Sequence, residues 1–531
     1  MAIFWRLRVE ARSFVQVSRA GFIGGNSPGT SLKVLRALRD YGPFGAASRI
    51  AAIRHGNQIA IHDDFGELTF NEMDQQINRL AKGFRSRGLG EGSTIGILCR
   101  NHRMPLIAAF AASRAGISAV WLNTGFSGPQ LREVVEREGV ELLVHDEEFE
   151  ELVGERKPGG GRLVCCAGDP APDRIEDLIA ESDPLAPPIP SKPGRIVLLT
   201  SGTTGTPKGA PRTEPRSLTI PGAVLERMPM GAGEATIIGP PVFHGTGLMI
   251  SLLSIGLGSK LVLRRRFDAA RLLDDMEEHQ VSTVCVVPVM LQRMLAVDDA
   301  RERDLSSLKA IFCAGSQLPG DAATRTLDTF GEVLYNLYGS TEVSVATLAT
   351  PADLRADPTC VGRPALGAKV KILDEDGSPV GKGETGTIYV GSVSPFEGYT
   401  GGGGKKIVNG LMASGDVGHF DEEGRLHIDG RDDEMIVSGG ENVFPHEVEE
   451  VISSSPGVAE AVVVGVDDEE FGQRLRAFVV KVPGQEVTAD EIRDLVKSNL
   501  ARYKSPRDVV FLDELPRNPT GKVLKRQLPV D

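Results

Sequence analysis

The run L-L-T-S-G-T-T-G-T-P-K-G, residues 198–209, decides how the rest of the chain is read. An apolar stretch, residues 196–199, enters it as a buried β-strand would. Then come the hydroxyls of Thr200, Ser201, Thr203, Thr204 and Thr206, the glycines Gly202, Gly205 and Gly209, and Pro207 and Lys208. Glycines let a backbone approach a ligand at φ values other residues avoid. The freed N–H groups and hydroxyls can point at phosphate oxygens, and Lys208 adds a charge. This is not a Walker A loop, which needs Gly-Lys followed by Ser or Thr. Here Pro207 precedes the lysine and Gly209 follows it. By composition alone a flexible Ser/Thr/Gly loop fits as well as a phosphate loop.

With 531 residues the chain exceeds one core, so two or more domains are expected. It is 41% hydrophobic and 25% charged, the balance of a globular protein and not of a disordered one. A net charge of −13 argues against a general nucleic-acid binder. Cys99, Cys165, Cys166, Cys285, Cys313 and Cys360 form no C-x-x-C pair, and most lie in apolar runs where buried free thiols are the rule. That pattern fits a reducing cytosol and gives no zinc site. No apolar run reaches membrane-spanning length, and residues 248–258 read as a core helix. Residues 1–20 carry scattered arginines and no clean apolar centre, so no signal peptide is expected and the location is cytoplasmic.

Residues 1–45 form a distinct basic arm. Arg6, Arg8, Arg12, Arg19, Lys33, Arg36 and Arg39 face only Glu10 and Asp40, a local net charge of 7 − 2 = +5. Phe4, Trp5, Phe14, Val15 and Phe22 lie among them, a mixture suited to peripheral contact with the inner membrane surface or, alternatively, to packing on the arm's own domain. From Ala46 an α/β rhythm begins. Strand-like runs at 58–62, 94–99, 119–123, 142–145 and 163–166 alternate with helix-like patterns at 70–87, 105–116 and 128–138. Such alternation predicts parallel sheets covered by helices. A Pro-rich linker, 183–193, leads into the loop strand, and the rhythm resumes at 235–240, 260–263, 281–287, 308–314 and 332–338. Around 361–430 short strands with Gly/Asp turns suggest a small β-barrel-like subdomain. After Arg431 a smaller α+β unit comes next, with helices at 446–454 and 490–500 and strands at 461–466, 476–481 and 509–512.

Four further stretches carry chemistry. Residues 336–342, N-L-Y-G-S-T-E, bring an aromatic, hydroxyls and a carboxylate to the C-terminal end of a strand, where open α/β sheets bind ligands. Tyr338 can stack on a purine, Thr341 can bond a phosphate, and Glu342 is a hard oxygen ligand suited to Mg²⁺. Residues 413–420, A-S-G-D-V-G-H-F, present Asp416, either a turn residue or an acceptor for two ribose hydroxyls. Residues 438–449 read S-G-G-E-N-V-F-P-H-E-V-E, and residues 516–522 read P-R-N-P-T-G-K, a turn presenting Lys522.

The five stretches, in this order, resemble the motifs of the AMP-forming adenylating enzymes, which include acyl-CoA synthetases, peptide-synthetase adenylation domains and firefly-type luciferases. The likeness is nearest to bacterial fatty-acyl-CoA ligases and covers nearly the whole chain. It implies a large adenylate-forming domain, 46–432, of two doubly wound sheets plus the small β-barrel subdomain. A small mobile α+β domain, 433–531, carries the catalytic lysine. ATP, Mg²⁺ and coenzyme A are the implied cofactors. Thr200, Ser201, Gly202, Thr203, Thr204, Gly205 and Lys208 are similar to the family's phosphate loop, and Tyr338, Gly339, Thr341 and Glu342 to its Y-G-x-T-E motif. Gly315 and Ser316 take the place of an adenine-edge contact, and Asp416 and Arg431 of ribose or phosphate contacts. Asp433 matches the hinge, Gly439 and Gly440 the thiol-acceptor channel, and Lys522 the lysine that bridges carboxylate and α-phosphate. Leu411 stands where the family often has Trp, a supporting position.

The resemblance also bears on substrate. His244, in P-P-V-F-H-G-T-G-L, occupies the position where amino-acid-activating members carry an aspartate for the substrate ammonium. No acid stands there, so an amino acid is not expected. His244 is instead a candidate to orient or gate an acyl carboxylate, or a structural histidine at a strand end. The apolar segment 248–257 suits an alkyl chain or mere core, and a fatty acid is expected ahead of aryl or polycyclic acids. A relative that loads a carrier protein usually carries an insertion near the domain junction, and none is present around 431–433. A non-catalytic homologue is disfavoured by the presence of Lys522, Glu342 and Asp416.

Overall fold

The computed structural model describes all residues except 1, 25–26, 155–157, 167–172, 201–207, 213–216, 393–397, 401–403, 439–440, 469–471, 520 and 530–531. The chain divides into two compact units, Met1–Phe312 with Val393–Gly404, and Cys313–Ser392 with Lys405–Asp531.

In the first unit one sheet runs in the order Arg162–Cys165, Leu142–Asp146, Thr94–Leu98, Ser118–Trp121, Ile196–Thr200, Lys208–Arg212. The first five strands are parallel and the last is antiparallel. A second run orders Gly66–Thr69, Ile59–Asp63, Lys260–Leu263, Ala235–Ile238, Thr283–Val286 and Ala310–Cys313. Helices cover these sheets for the expected reason. In Phe70–Ser86, Phe70, Met73, Ile77, Leu80, Ala81 and Phe84 recur at three- and four-residue steps and are all buried. Thr69 and Glu72 close a reciprocal capping box that starts the helix, and removing such a cap costs about 1 kcal/mol. The apolar helix Gly245–Gly256 buries Leu248, Ile250, Leu253 and Ile255. Core packing therefore accounts for its hydrophobicity without an alkyl chain.

The basic arm is helical. Its first helix, α1, spans Ala2–Arg19, and α2 spans Pro28–His55. Ser27 caps α2, Pro28 opens it, and Gly42, at φ 70°, kinks it next to Pro43. The part of α2 beyond the kink carries Ser48 and Ala51 into the core, so the arm runs without a break into the first unit.

The six thiols are free, and all but Cys166 are buried. No cysteine spacing foretells that Cys99, Asp146 and Cys165 meet at the C-terminal ends of neighbouring strands, their ligand atoms within 4.8 Å of one another. Asp146 is held there by His102 Nε2 at 2.7 Å and by the Arg100 amide at 2.9 Å. Burial pushes the Cys99 and Cys165 thiols up, the behaviour of inert core sulfurs.

In the second unit the strands Leu334–Ser340 and Ser344–Ala349 form an antiparallel hairpin, with Arg363–Pro364 beside it. Where the β-barrel-like subdomain is expected there is a five-stranded antiparallel sheet. Ala368–Leu373 pairs with Gly386–Ser392, which pairs with Leu411–Phe420, and the latter also holds Ile407–Val408 and Leu426–Arg431. The C-terminal part is the expected α+β arrangement. Val458–Asp468 and Gly472–Lys481 form a long antiparallel pair, Asp508–Leu512 joins in parallel, and the helices Pro445–Ser453 and Ala489–Asn499 bury Val448, Ile452, Ile492 and Val496. Among the described residues no helix is long and apolar enough to cross a membrane.

Candidate active site

In the first unit the strand Ile196–Thr200 ends at the signature loop, and Lys208 opens the returning antiparallel strand with Thr200 as its Cα partner. Ser201, Gly202, Thr203, Thr204 and Gly205 lie outside the described residues, as does the Thr200 side chain. The strand that returns from the loop is clamped. Gly209 donates its amide to Thr400 Oγ1 at 3.0 Å, Thr400 returns its amide to the Gly209 carbonyl at 2.9 Å, and its hydroxyl donates to Glu138 at 2.7 Å. A Cβ at Gly209 would stand 2.6 Å from Thr400 Oγ1 and 2.9 Å from the Glu138 carboxylate, so a side chain here would push this clamp apart. The Lys208 ammonium lies 5.7 Å from the ring centroid of Tyr399, a cation–π distance.

His244 sits at the N-cap of the helix Gly245–Gly256 but makes no capping bond. A Cβ on the next residue, Gly245, would touch Leu198, so this helix start lies against the strand that leads into the loop. His244 Nε2 is out of contact with solvent and has no hydrogen-bond partner among the described residues. Burial lowers the imidazole to about 4, so it is neutral at physiological pH.

In the second unit Tyr338, Asp416 and Arg431 come together. Tyr338 donates its hydroxyl to Asp416 Oδ2 at 2.6 Å, and Arg431 Nη1 lies 3.4 Å from Asp416 Oδ1. Asp416 is not a turn residue. It sits within the strand Leu411–Phe420, with Arg431 its direct cross-strand partner. Ser414 fixes the approach: its hydroxyl accepts from the Asp416 amide and donates to the Ile388 carbonyl, both at 3.0 Å. Burial, reinforced by the Asp416 charge, pushes the Tyr338 phenol far up, so it stays a donor.

Beyond Tyr338 the hairpin tightens. A Cβ at Gly339 would stand 1.9 Å from the Ser344 carbonyl oxygen, so the glycine lets the two strands close. Thr341 and Glu342 form the connection, and the buried Glu342 accepts from Ser340 Oγ at 2.8 Å. A hard carboxylate beside a threonine hydroxyl fits Mg²⁺, which takes one or two carboxylates plus phosphate oxygens. Gly315, at φ 101°, and Ser316 are exposed after the strand Ala310–Cys313. Next to them Gln317 donates its amide to His446 Nε2, on the helix Pro445–Ser453. Burial lowers His446 to about 4 as well.

Asp433 lies in the 3-10 turn Asp432–Glu434, where only its backbone is described, and Gly439 and Gly440 lie outside the described residues. Lys525 ties this turn to the C-terminal segment, 2.7 Å from Glu434 and 3.8 Å from Glu449. Lys522 is exposed on a hairpin closed by Asn518, whose side chain accepts the Lys522 amide at 2.9 Å and whose own amide donates to the Lys522 carbonyl at 2.9 Å. The turn expected from two prolines is thus held by the asparagine between them.

The family model for AMP-binding enzymes matches residues 49–400, and that for the AMP-binding enzyme C-terminal domain matches residues 447–522. The chain belongs to the AMP-binding enzyme family. It is 33% identical over 485 residues to a feruloyl-CoA synthase from Amycolatopsis sp, covering 90% of this chain and 95% of that protein. A fatty acid–[acyl-carrier-protein] ligase of Streptomyces coeruleorubidus is 29% identical over 473 residues, covering 87% and 91%. Among solved structures, o-succinylbenzoate CoA synthetase from Bacillus subtilis in complex with its acyl-adenylate superposes with a TM-score of 0.79 at 27% identity, covering 91% of this chain and 97% of that one. The mixed α/β architecture, with its large N-terminal and small C-terminal domains, is therefore the fold of this AMP-binding enzyme.

Sequence reasoning missed Glu138, Tyr399 and Thr400, the partners of the Lys208–Gly209 segment. The available signal was the aromatic-hydroxyl pair just before the glycine run 401–404. It also left open what Gly209 is for, which the crowding by Thr400 and Glu138 answers.

Proposed function

We propose that this AMP-binding enzyme is an acid–thiol ligase: it activates a carboxylic acid with ATP to an acyl-adenylate and passes the acyl group to coenzyme A, releasing AMP and pyrophosphate. The observation that carries the reading is the Tyr338–Asp416–Arg431 cluster, a half-buried phenol, a carboxylate and a guanidinium set for an adenosine. It stands in a chain that matches both family models.

In the first half-reaction the acid's carboxylate oxygen attacks the α-phosphorus and pyrophosphate leaves. Negative charge builds on the phosphoryl oxygens, so fixed donors and cations supply most of the catalysis. Tyr338 and the 315–316 edge hold the adenine, and Asp416 accepts from the ribose hydroxyls. Thr200–Gly205 and Lys208 hold the β- and γ-phosphates, with Arg431 a second contact to ribose or phosphate. Thr341 and Glu342 would hold the α-phosphate and Mg²⁺, which when bound neutralises phosphate charge. Lys522 bridges carboxylate and α-phosphate. In the second half-reaction the small domain turns about Asp433, Lys522 withdraws, and the Gly439–Gly440 loop lines the path of the thiol. A thiol with a pKa of about 8.5 attacks the mixed anhydride without a dedicated base.

The acid is apolar. His244 is neutral, its Nε2 shielded from solvent, so it can orient a carboxylate but offers no anion for a substrate ammonium. The sequence puts a fatty acid first; the feruloyl and succinylbenzoate activities named for relatives bring aryl and aryl-alkyl acids level with it. The Streptomyces relative keeps a carrier protein open as the alternative acceptor. Peripheral contact of the basic arm with a membrane belongs to the same reading.

The test is purified protein with ATP, Mg²⁺, CoA and a panel of aryl, aryl-alkyl and fatty acids of graded length. AMP, pyrophosphate and a CoA thioester are expected with at least one class. Release of ADP, or adenylate without thioester unless a carrier protein is supplied, would replace this function with another.

A further inference from the structure

The structure gives the N-terminal arm two faces. Val9, Ser13 and Val17 of α1 are buried. Glu10 accepts from Ser217 Oγ and from the Leu218 amide, and Arg12 pairs with Glu226 at 2.6 Å, which seats this face on the body of its own unit. On the opposite side of the same helix Phe4, Leu7, Ala11, Phe14 and Val15 recur at helical spacing and are all exposed. In α2, Ala37 and Tyr41 are buried while Leu32, Leu35 and Leu38 are exposed.

The exposure is concentrated. Of the twelve large apolar side chains exposed among the described residues, Phe4, Leu7, Phe14, Val15, Leu32, Leu35 and Leu38 lie within residues 4–38, with Phe4 at 79%, Leu32 at 70% and Leu7 at 62%. Apolar exposure gathered in this way marks a surface that something covers. The charge says what. Arg6, Arg8, Arg19 and Lys33 are exposed, and no ion pair to them is found among the described residues, on an arm of net +5 in a protein of −13.

We propose that the outward faces of α1 and α2 form a docking surface for an anionic bilayer, with Phe4, Leu7 and Phe14 entering the acyl–headgroup boundary and the arginines meeting lipid phosphates. A helix with an apolar stripe flanked by Arg and Lys lies in the interface plane, and its attraction to anionic lipid decays over a Debye length. A second copy of this chain is the poorer occupant, because pairing like faces brings +5 against +5. The inward face keeps α1 folded on its unit, so docking needs no unfolding. The surface stands independently of which acid the enzyme activates, and it carries the membrane contact of the functional reading to named residues.

The experiment uses the full-length protein and vesicles of phosphatidylcholine alone or with about 30% phosphatidylglycerol. Co-sedimentation is expected at least about tenfold stronger on the anionic vesicles, lost at about 0.5 M salt by screening, and accompanied by a blue shift of Trp5 emission. The triple variant F4S/L7S/F14S should lose vesicle binding while keeping its melting temperature and its basal activity on a water-soluble acid. R6E/R8E/R19E should lose the anionic preference. Failure of the wild-type protein to bind anionic vesicles at low salt overturns the proposal. So does a triple variant that binds as well as wild type, or sedimentation velocity showing a dimer that F4S/L7S/F14S converts to monomer.

Discussion

Tyr338 and Asp416, 78 residues apart in sequence, share a 2.6 Å hydrogen bond in which the phenol donates to the carboxylate. The bond fixes the ring edge and leaves Asp416 one oxygen directed toward Arg431. Asp416→Ala should weaken ATP binding about 10- to 100-fold, the equivalent of one hydrogen bond to a charged group at roughly 1.5–3 kcal/mol. Titration calorimetry with ATP reads it. An unchanged affinity would remove Asp416 from the nucleotide site.

His446 is held neutral by burial, at about 4 against an ordinary value near 6.5. The folded state therefore binds fewer protons than the unfolded chain between these values. Its stabilising contribution is complete above pH ~6.5 and is lost as pH falls toward 4, on the order of 3 kcal/mol across the window. His446→Gln should flatten the decline in melting temperature between about pH 6.5 and 4.5 relative to wild type. Parallel curves for the two proteins would show that His446 titrates normally.

The sequence makes the α/β body legible because its strands are short buried runs between turn signals, such as Thr94–Leu98 and Lys260–Leu263. What it hides is pairing. Asp416 fits a turn as well as a ligand site until the register sets it opposite Arg431 inside a ten-residue strand. Ser344–Ala349 mixes Ser and Thr with apolar residues, so no clean strand pattern marks it in the sequence. Thr400 and Glu138 are 262 residues apart, and no local pattern foretells their meeting at Gly209. The arm's helices are not legible in the sequence because aromatic and basic residues recur on more than one face of each helix, and only burial tells the faces apart.

Arg114 is fully buried and donates to Asp74 Oδ1 and Asn78 Oδ1 at 2.6 Å, to Ser48 Oγ at 2.8 Å and to the Gly45 carbonyl at 3.3 Å. It thereby joins α2 to the helices Phe70–Ser86 and Arg103–Ala115. Arg114→Met leaves the buried Asp74 with Arg49, 2.5 Å away, as its remaining cationic partner and should cost about 1.5–3 kcal/mol, the loss of a hydrogen bond to a charged group. Arg114→Met/Asp74→Leu should cost less than the sum of the single changes, because each single change already loses the shared Arg114–Asp74 contact. Chemical denaturation of the four proteins checks this, and strict additivity would mean that the pair does not act as a unit.

Lys522 is exposed on a hairpin that Asn518 closes, and the same C-terminal segment is tied by Lys525 to Glu434 in the turn that carries Asp433. The lysine can thus travel with the small domain as one body, serving the first half-reaction and leaving for the second. Lys522→Ala should lower adenylate formation, measured as pyrophosphate release, by about 100-fold or more, the scale seen when one charge-stabilising donor is removed. Thioester formation from supplied acyl-adenylate should stay within a few-fold of wild type. Asp433→Pro, which fixes φ in the turn, should do the converse and spare adenylation while blocking the thioester step. Neither variant alone separates a moving domain from a fixed one, because a fixed lysine could also affect a single step. Opposite losses from the two variants require that the half-reactions use different positions of the same domain. Equal losses in both half-reactions for either variant would mean that one arrangement serves both, and the two-position scheme would fall.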